Sequence, residues 1–423
     1  MILKTYGHAT LSFEKMGVPI LITDPWLIGS CYWRSWWLQH YPTNEDLITL
    51  SKSKNIFLTH EHWDHAHFPT LKKYFLNKKI LIPKLNSKRL KNSLKENFDV
   101  EEISSNKWFI VGDIKYISIP LYNDDSILLF EYQGYLICNM NDSKPTPQII
   151  NRIYELKREK KLKLILLQSY APASINNSFR RQDYKKVSIK SKNDYVKYIM
   201  NTSNKLNAEY FIPFASQAIF SRPDSIWANE FKVSWEELYK MWGVKTKLLK
   251  SYIKFDLGNH QHDTYVNKYL KSENMDRLGN LKYQNNINKK FDLMDLKYFS
   301  KICKSVKYIL FIIYPLGINF YLSGNYYKYN FLNEKTVKLK IKPKSYLEMP
   351  INEFIESIKN FQFTDLGTSF VMKIFIDSKV NIIQTYLFFI FLTFSEKGYF
   401  SNIKNFIKQI KLVISNFFPK KLY

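Results

Sequence analysis

Three histidines and an aspartate fall within six consecutive positions, His60, His62, Asp64 and His65, in Thr59-His60-Glu61-His62-Trp63-Asp64-His65, and each can bind a metal ion. The turn follows an apolar run over 55–59 that reads as a strand. A turn at a strand end can aim several side chains at one point. Imidazole and carboxylate together suit Zn²⁺, Fe²⁺ or Mn²⁺. The plainer alternative is a solvated, histidine-rich turn. A chain with eight histidines would seldom cluster three of them so tightly by chance, and HxHxDH after a strand is a specific pattern.

Such a turn needs a rigid scaffold, and the composition supplies one. Hydrophobic residues make up 45% of the 423 and aromatics 17%, enough for buried cores and too rich for a disordered chain. That length exceeds one average domain, which predicts a catalytic domain plus a C-terminal addition. The formal charge of +26 raises nucleic acid or an anionic membrane as a partner. The basic residues are nearly all Lys, however, amid abundant Asn, Ile, Tyr and Phe, the mix that AT-rich coding produces by itself. A phosphate- or base-reading surface would use more Arg, so no nucleic-acid partner is expected. Cys31, Cys138 and Cys303 form no CxxC pair, which argues against a disulfide framework or a cysteine zinc knuckle and fits a reducing cytoplasm. The chain opens on a strand-like pattern rather than a signal peptide. Its two most apolar stretches, 308–322 and 382–394, fall short of the roughly 20 residues that span a bilayer and read as core elements.

Runs at 8–13 and 18–23 around Glu14-Lys15-Met16-Gly17 predict a β-hairpin. Further strands are expected at 55–59, 80–83, 114–120, 126–132, 135–140, 162–168 and 209–214, with helices at 69–76, 87–97 and 148–160. Hairpins first and alternating strands and helices afterwards indicate mixed sheets covered by helices. The sequence turns polar and Asn-rich over 259–290, which places a domain boundary between 1–258 and 259–423. Structure is expected to resume at 308–322, 337–342, 349–360 and 370–376. Over 402–418, Ile403, Phe406, Ile407, Ile410, Val413, Ile414 and Phe417 fall at helical spacing with Lys404, Lys408 and Lys411 between them. That pattern fits either a docked core helix or one lying peripherally on an anionic membrane surface.

At the histidine turn the sequence resembles the metallo-β-lactamase superfamily. Gly7-His8-Ala9-Thr10 and Thr23-Asp24-Pro25-Trp26 support the likeness. The resemblance implies an α+β or α/β chain, a four-layer αββα sandwich with a C-terminal mixed accessory domain. It implies one metal at His60 and His62, a second at Asp64 and His65, and Asp142 of Asn139-Met140-Asn141-Asp142 bridging them. Taken alone, Asp142 reads equally well as a turn or helix-capping residue. Asp24 is the expected partner for the second nitrogen of a ligating histidine, and His8 and His67 read as outer positioning or packing residues.

Within that superfamily the sequence looks closest to the metallo-β-lactamase portion of CMP-N-acetylneuraminate hydroxylase-like proteins. Asp24-Pro25-Trp26-Leu27, Trp36-Trp37, Pro69-Thr70-Leu71, Glu131-Tyr132-Gln133-Gly134, Pro213-Phe214-Ala215 and Phe255-Asp256-Leu257-Gly258 carry the likeness. Three departures stand out. Those hydroxylases carry a Rieske domain, which needs two Cys-and-His pairs absent here, so an electron donor would be a separate protein. Where the family supplies a histidine, this chain reads Tyr122-Asn123-Asp124-Asp125, giving either a substitute carboxylate ligand or two turn residues. The family's last ligand position holds Arg222, which cannot ligate at neutral pH and reads either as a clamp for a substrate phosphate or carboxylate or as a structural ion pair.

Trp26, Trp33, Trp36 and Trp37 read either as the wall of a sugar or base pocket, with Trp37 foremost, or as core aromatics. The expected function is a metal-dependent hydrolase acting through a metal-activated water, with one or two Zn ions or with Fe, and with Asp64 and Asp142 as catalytic carboxylates. The resemblance alone points to a small-molecule, nucleotide-sugar or glycan-related substrate. The alternatives are an oxygenase subunit served by a separate Rieske protein, and a metal-poor binding protein. A cytoplasmic location is expected, with peripheral membrane contact through the last helix as an open alternative.

Overall fold

A computed structural model of the chain describes residues 1–171, 175–187, 189–265, 270–271, 296–419 and 422. Most of the polar stretch 259–290 lies outside the described residues.

The hairpin forms from Thr10–Lys15 and Val18–Thr23, with only Met16 and Gly17 in the turn. Both have positive φ, 51° and 75°, as the favoured two-residue hairpin turn requires. The strand runs two residues further than the turn pattern suggested because the buried Glu14 carboxylate accepts from Tyr6 Oη and Ser12 Oγ. This hairpin sits inside a sheet of eight strands. Gln261–Thr264, Ile253–Asp256, Ile2–Tyr6 and the hairpin pair antiparallel, and Asn55–Phe57, Lys79–Pro83 and Asp99–Ile103 continue in parallel.

The second sheet repeats the plan. Trp108–Val111, Ile114–Pro120, Ser126–Tyr132 and Tyr135–Asn141 are antiparallel, and Lys163–Ser169, Tyr210–Phe214 and Lys247–Leu248 add in parallel. Parallel neighbours need crossovers, and helices supply them: Asn44–Ser51, Phe68–Tyr74 and Arg89–Lys95 for the first sheet, Pro147–Glu159 and Lys192–Leu206 for the second. The short strand Asp99–Ile103 is half exposed and the helix Lys192–Leu206 is strongly polar, and neither stands out in the sequence.

Period-two side-chain alternation then sets the layers. Leu128, Phe130, Ile137, Ile165 and Leu167 point into a core shared with Leu11, Phe13, Leu21 and Phe57 of the first sheet. Ile127, Leu129, Leu136, Cys138 and Leu166 point the other way, onto Ile150, Ile153 and Ile199 of the covering helices. On the far side, Ile22, Ile56 and Ile80 meet Leu50, Leu71 and Leu94. The result is helix, sheet, sheet, helix: the αββα sandwich.

A third sheet orders Phe179–Arg180, Lys373–Phe375, Tyr346–Glu348, Ile318–Leu322, Asn325–Tyr329 and Thr336–Leu339. Its core joins Phe320 and Tyr329 to Phe299, Phe354 and Phe388 from the helices Leu296–Cys303, Ile351–Lys359 and Lys379–Glu396. Phe179, from the middle of the chain, belongs to that core, while Gln261–Thr264 closes the first sheet. The apolar stretch 308–322 divides into the helix Lys307–Ile313 and the strand Ile318–Leu322. Gly317 makes the break, at φ 86° with Tyr329 O only 2.3 Å from where a Cβ would stand. Among the described residues no helix is long and apolar enough to cross a membrane.

Candidate metal centre

The centre is organised from Asp24, at the end of the hairpin's second strand. Its backbone is left-handed, φ 44°, and its N–H donates to Phe57 O at 2.9 Å, which ties it to the end of Asn55–Phe57. Its fully buried carboxylate accepts from Thr59 N at 2.7 Å and from Thr59 Oγ1 at 2.6 Å. The start of the histidine turn is therefore fixed. The turn closes on itself through Ala66 N to His62 O, 2.7 Å, and Ser126 Oγ holds Thr59 O from the second sheet at 2.8 Å.

These bonds assign the tautomers that matter. Thr59 Oγ1 donates its hydrogen to Asp24, so it accepts from His60 Nδ1 at 3.1 Å, and the lone pair of His60 Nε2 faces inward. His65 Nδ1 donates to Asp24 Oδ2 at 3.1 Å, and its Nε2 is buried without a hydrogen-bond partner. The free nitrogens converge. His60 Nε2 lies 2.9 Å from His62 Nδ1. Asp142, just beyond Tyr135–Asn141, puts Oδ1 3.7 Å from both His60 Nε2 and His65 Nε2, and Oδ2 3.8 Å from His62 Nδ1. Asp142 Oδ1 is likewise buried and without a partner. Asp64 Oδ2 stands 3.4 Å from His65 Nε2, while its Oδ1 accepts from Tyr32 Oη at 2.9 Å.

Among the described residues two sets of ligand atoms result, His60–His62–Asp142 and His8–Asp64–His65, each within 4.8 Å. His8 differs from the others. Its Nδ1 accepts from Gln217 N at 3.1 Å, so the proton sits on Nε2, which donates to Asp64 Oδ2 at 3.1 Å. It holds Asp64 rather than offering a lone pair of its own.

The electrostatics follow from burying charges together. Burial drives the His60 imidazolium well down from its ordinary range and lowers His8. Burial opposes charge on His62 too, but Asp142 beside it pushes the group up to about 9. For His65, burial is outweighed by Asp64, Asp142 and Asp24, and it rises to about 10. Asp64 and Asp142 are held below the carboxylate range against their burial, Asp64 by His65 and His8, Asp142 by His60 and His65. Neutral imidazole and ionised carboxylate are the forms that bind divalent metal at about 2.0–2.2 Å. His60 is held neutral and both carboxylates ionised, and a cation bound here would displace the protons that the carboxylates draw onto His62 and His65. Donors spaced 2.9–3.8 Å apart fit around such ions, and two buried atoms without partners face the same space. The residues fit one or two divalent ions.

The remaining expected residues are placed as follows. Asp124 and Asp125 are buried beside the turn, the first bonded to Tyr399 Oη and the second to Asn123 Nδ2. Among the described residues neither joins a ligand set. Burial raises both, Asp124 to about 6. Arg222 is buried with Nε and Nη2 on Asp224 at 2.8 and 3.0 Å, and with Nη1 on Glu353 at 2.6 Å and Trp33 O at 3.0 Å. Trp26 and Trp36 pack in a core with Tyr32, Phe220 and Phe370. Trp37 is half-buried on the strand Trp36–Leu38, its indole donating to Arg34 O at 2.8 Å. His67 caps the helix Phe68–Tyr74.

A lysine from the far end of the chain went unseen in the sequence. Lys397 is 3.6 Å from Glu61 of the metal turn and donates to Asn123 O at 2.8 Å, and Arg89 reaches both Glu61 and Asp365 at 3.6 Å. No local signal marks that pairing, because it depends on how the third sheet's helices dock. A cavity of about 350 Å³ lies on the Glu61, Trp63 and Arg89 side and touches none of the candidate ligands. His62 and Asp142 are the partly exposed members of the centre, their side chains each 31% exposed.

No family model matches the chain. A segment of 66 residues, 16% of this chain, is 44% identical to the cytidine monophosphate-N-acetylneuraminic acid hydroxylase of Asterias rubens and spans 10% of that protein. Among solved structures, the isothiocyanate hydrolase from Delia radicum gut bacteria superposes with a TM-score of 0.42 at 13% identity, over 63% of this chain and 99% of that one. The metallo-β-lactamase fold protein YhfI of Bacillus subtilis gives 0.36 at 11% identity, over 60% and 98%. On its own αββα layering and the histidine turn at the strand ends, the chain has the metallo-β-lactamase fold, with a segment similar to CMP-N-acetylneuraminate hydroxylases.

Proposed function

We propose that this chain is a metal-dependent hydrolase whose ions are held by His60, His62 and Asp142 on one side and by Asp64 and His65 on the other. The observation that carries the reading is the pair of buried, unpartnered atoms, His65 Nε2 and Asp142 Oδ1, facing each other at 3.7 Å. A buried polar atom without a partner costs about 1–3 kcal/mol, and a bound cation relieves that cost. Divalent zinc or iron in such ligands supplies a water acidified to near neutral pH and polarises the substrate oxygen.

The chain's own residues have distinct tasks. Asp24 fixes the tautomers of His60 and His65, the first through Thr59. Tyr32 and His8 clamp Asp64 in its ionised form. Asp142, partly exposed, is the carboxylate proposed to orient an incoming nucleophile or hold its proton. Trp37 is the aromatic assigned to the substrate's ring, and Arg222 is assigned to holding Glu353 and Asp224 beside the site. The likeness to the Asterias rubens hydroxylase supports a nucleotide-sugar or glycan-related substrate. That likeness also favours a second reading, an oxygenase subunit that uses iron in the same ligands and takes electrons from a separate protein.

One experiment separates the two. Zinc- and iron-loaded protein is assayed against a panel of nucleotide sugars, with and without oxygen and an added ferredoxin–reductase pair. Hydrolysis by either metal form without oxygen, abolished by chelation, supports the hydrolase. Turnover only with iron, oxygen and reductant supports the second reading. Equal turnover by the His60→Ala/His62→Ala protein would contradict both.

A further inference from the structure

The last helix is docked inside out. Ile403–Phe417 packs beside Pro147–Glu159, yet the residues it buries are polar. Gln409 and Asn416, 4% and 1% exposed, are its two buried positions. Asn86 Nδ2 donates to Gln409 Oε1 at 2.9 Å, Tyr122 N donates to Asn416 Oδ1 at 3.2 Å, and Asn416 Nδ2 donates to Pro120 O at 3.2 Å. These bonds fix the helix by its polar side. Its apolar stripe, Ile403, Phe406, Ile407, Ile410, Ile414 and Phe417, faces outward, with Ile403 71% and Ile414 52% exposed. A surface helix normally shows the reverse. The stripe continues through Phe400, whose ring lies 5.4 Å from Phe406 and 6.5 Å from Phe391 of Lys379–Glu396. That helix in turn exposes Val380, Ile383, Leu387 and Ile390, spaced three or four apart along one face.

We propose that this surface docks on an anionic lipid bilayer. Charge selects the occupant. Lys404 and Lys411 each stand three positions from a stripe isoleucine, Ile407 and Ile414, so they border the apolar face, and Lys408 stands beyond them. All three lysines are exposed, and the helix contains no acidic residue. Apolar side chains beside a lysine row, on a chain of formal charge +26, match an interface with acyl chains below and phosphates at the rim. The helix lies along the membrane and is tethered to the αββα sandwich by Gln409 and Asn416.

The test is co-sedimentation of the full chain with vesicles of phosphatidylcholine mixed with phosphatidylglycerol, against pure phosphatidylcholine. Binding is expected to the mixed vesicles only, and to weaken as salt rises. Ile407→Asp with Ile414→Asp should lower the partition coefficient at least about tenfold, and Lys404→Gln with Lys411→Gln by about fivefold per lysine. Thermal unfolding of both variants should be unchanged, because these side chains project into solvent. Should the isoleucine pair disturb folding, the lysine pair carries the test alone. Failure of the wild-type chain to bind mixed vesicles would overturn the proposal, as would binding insensitive to both variants. A wild-type dimer in light scattering that the isoleucine pair turns into monomer would overturn it too, by assigning the face to a second copy.

Discussion

The histidine turn and the Arg222 cluster both bury charge, and they satisfy it differently. At Arg222, each of the three guanidinium nitrogens has a partner, on Asp224, Glu353 or Trp33 O. At the histidine turn, the outer nitrogens of His60 and His65 are bonded back into the fold, while the inner atoms converge on one another and two of them lack a hydrogen-bond partner. The first closes around the guanidinium, although Glu353 Oε2 has no hydrogen-bond partner of its own, and it joins the loop after Phe220 to the helix Ile351–Lys359. The second is closed on its outer side and open on its inner side. What sets the histidine turn apart is that its two unpartnered atoms, an imidazole nitrogen and a carboxylate oxygen, face each other at 3.7 Å, whereas the charge of Arg222 is met by carboxylates on two sides.

Breaking each region should therefore give opposite signatures. His60→Ala with His62→Ala should remove the bound metal altogether and leave the circular dichroism and the unfolding midpoint near wild type, since the turn lies outside the cores. Arg222→Met should do the reverse. Leaving Glu353 without its guanidinium should cost about 3–5 kcal/mol in urea unfolding, with metal per chain unchanged. A loss of metal in that variant would show that Arg222 serves the site directly.

Asp24→Asn sharpens the contrast, because it keeps the size of the side chain and removes the charge that fixes His60 and His65. Metal affinity should fall about 10–100-fold, as for other outer partners of ligating histidines, read by competition with a chromophoric chelator. The smallest effect concerns pH. Burial raises the Glu396 carboxyl from 4.5 to about 7 against the pull of Arg89. A raised folded value means stability that is full below the unfolded pKa and lost as pH rises toward 7. The loss is at most about 1.4 kcal/mol per pH unit. Asp124, raised to about 6, acts in the same direction. Glu396→Gln should flatten the slope of unfolding free energy between these values, and an unchanged slope would remove Glu396 from the account.

The sandwich was legible wherever side-chain period and turn chemistry were strong. The strands at 114–120 and 126–132 fall where the sequence puts them because both faces are buried and their apolar runs are unbroken. The turn His60 to His65 was legible as a ligand cluster because its spacing is local. What was not legible is long-range. Whether Asp125 reaches the ions, whether His8 ligates or holds Asp64, and that Lys397 would meet Glu61 all depend on packing between segments hundreds of residues apart. The last helix was legible as a helix but not in its orientation: its apolar period left two readings open, and the bonds of Gln409 and Asn416 show that the polar side is the docked one.

The converging side chains of His60, His62, His65, Asp64 and Asp142 are expected to hold metal. Elemental mass spectrometry of the tag-free chain, purified without chelator and dialysed after incubation with zinc or ferrous iron, tests it most directly. One to two equivalents of metal per chain are expected, and none in the His60→Ala/His62→Ala protein treated alike. A wild-type chain that retains no metal, or a double variant that retains as much as wild type, would contradict it.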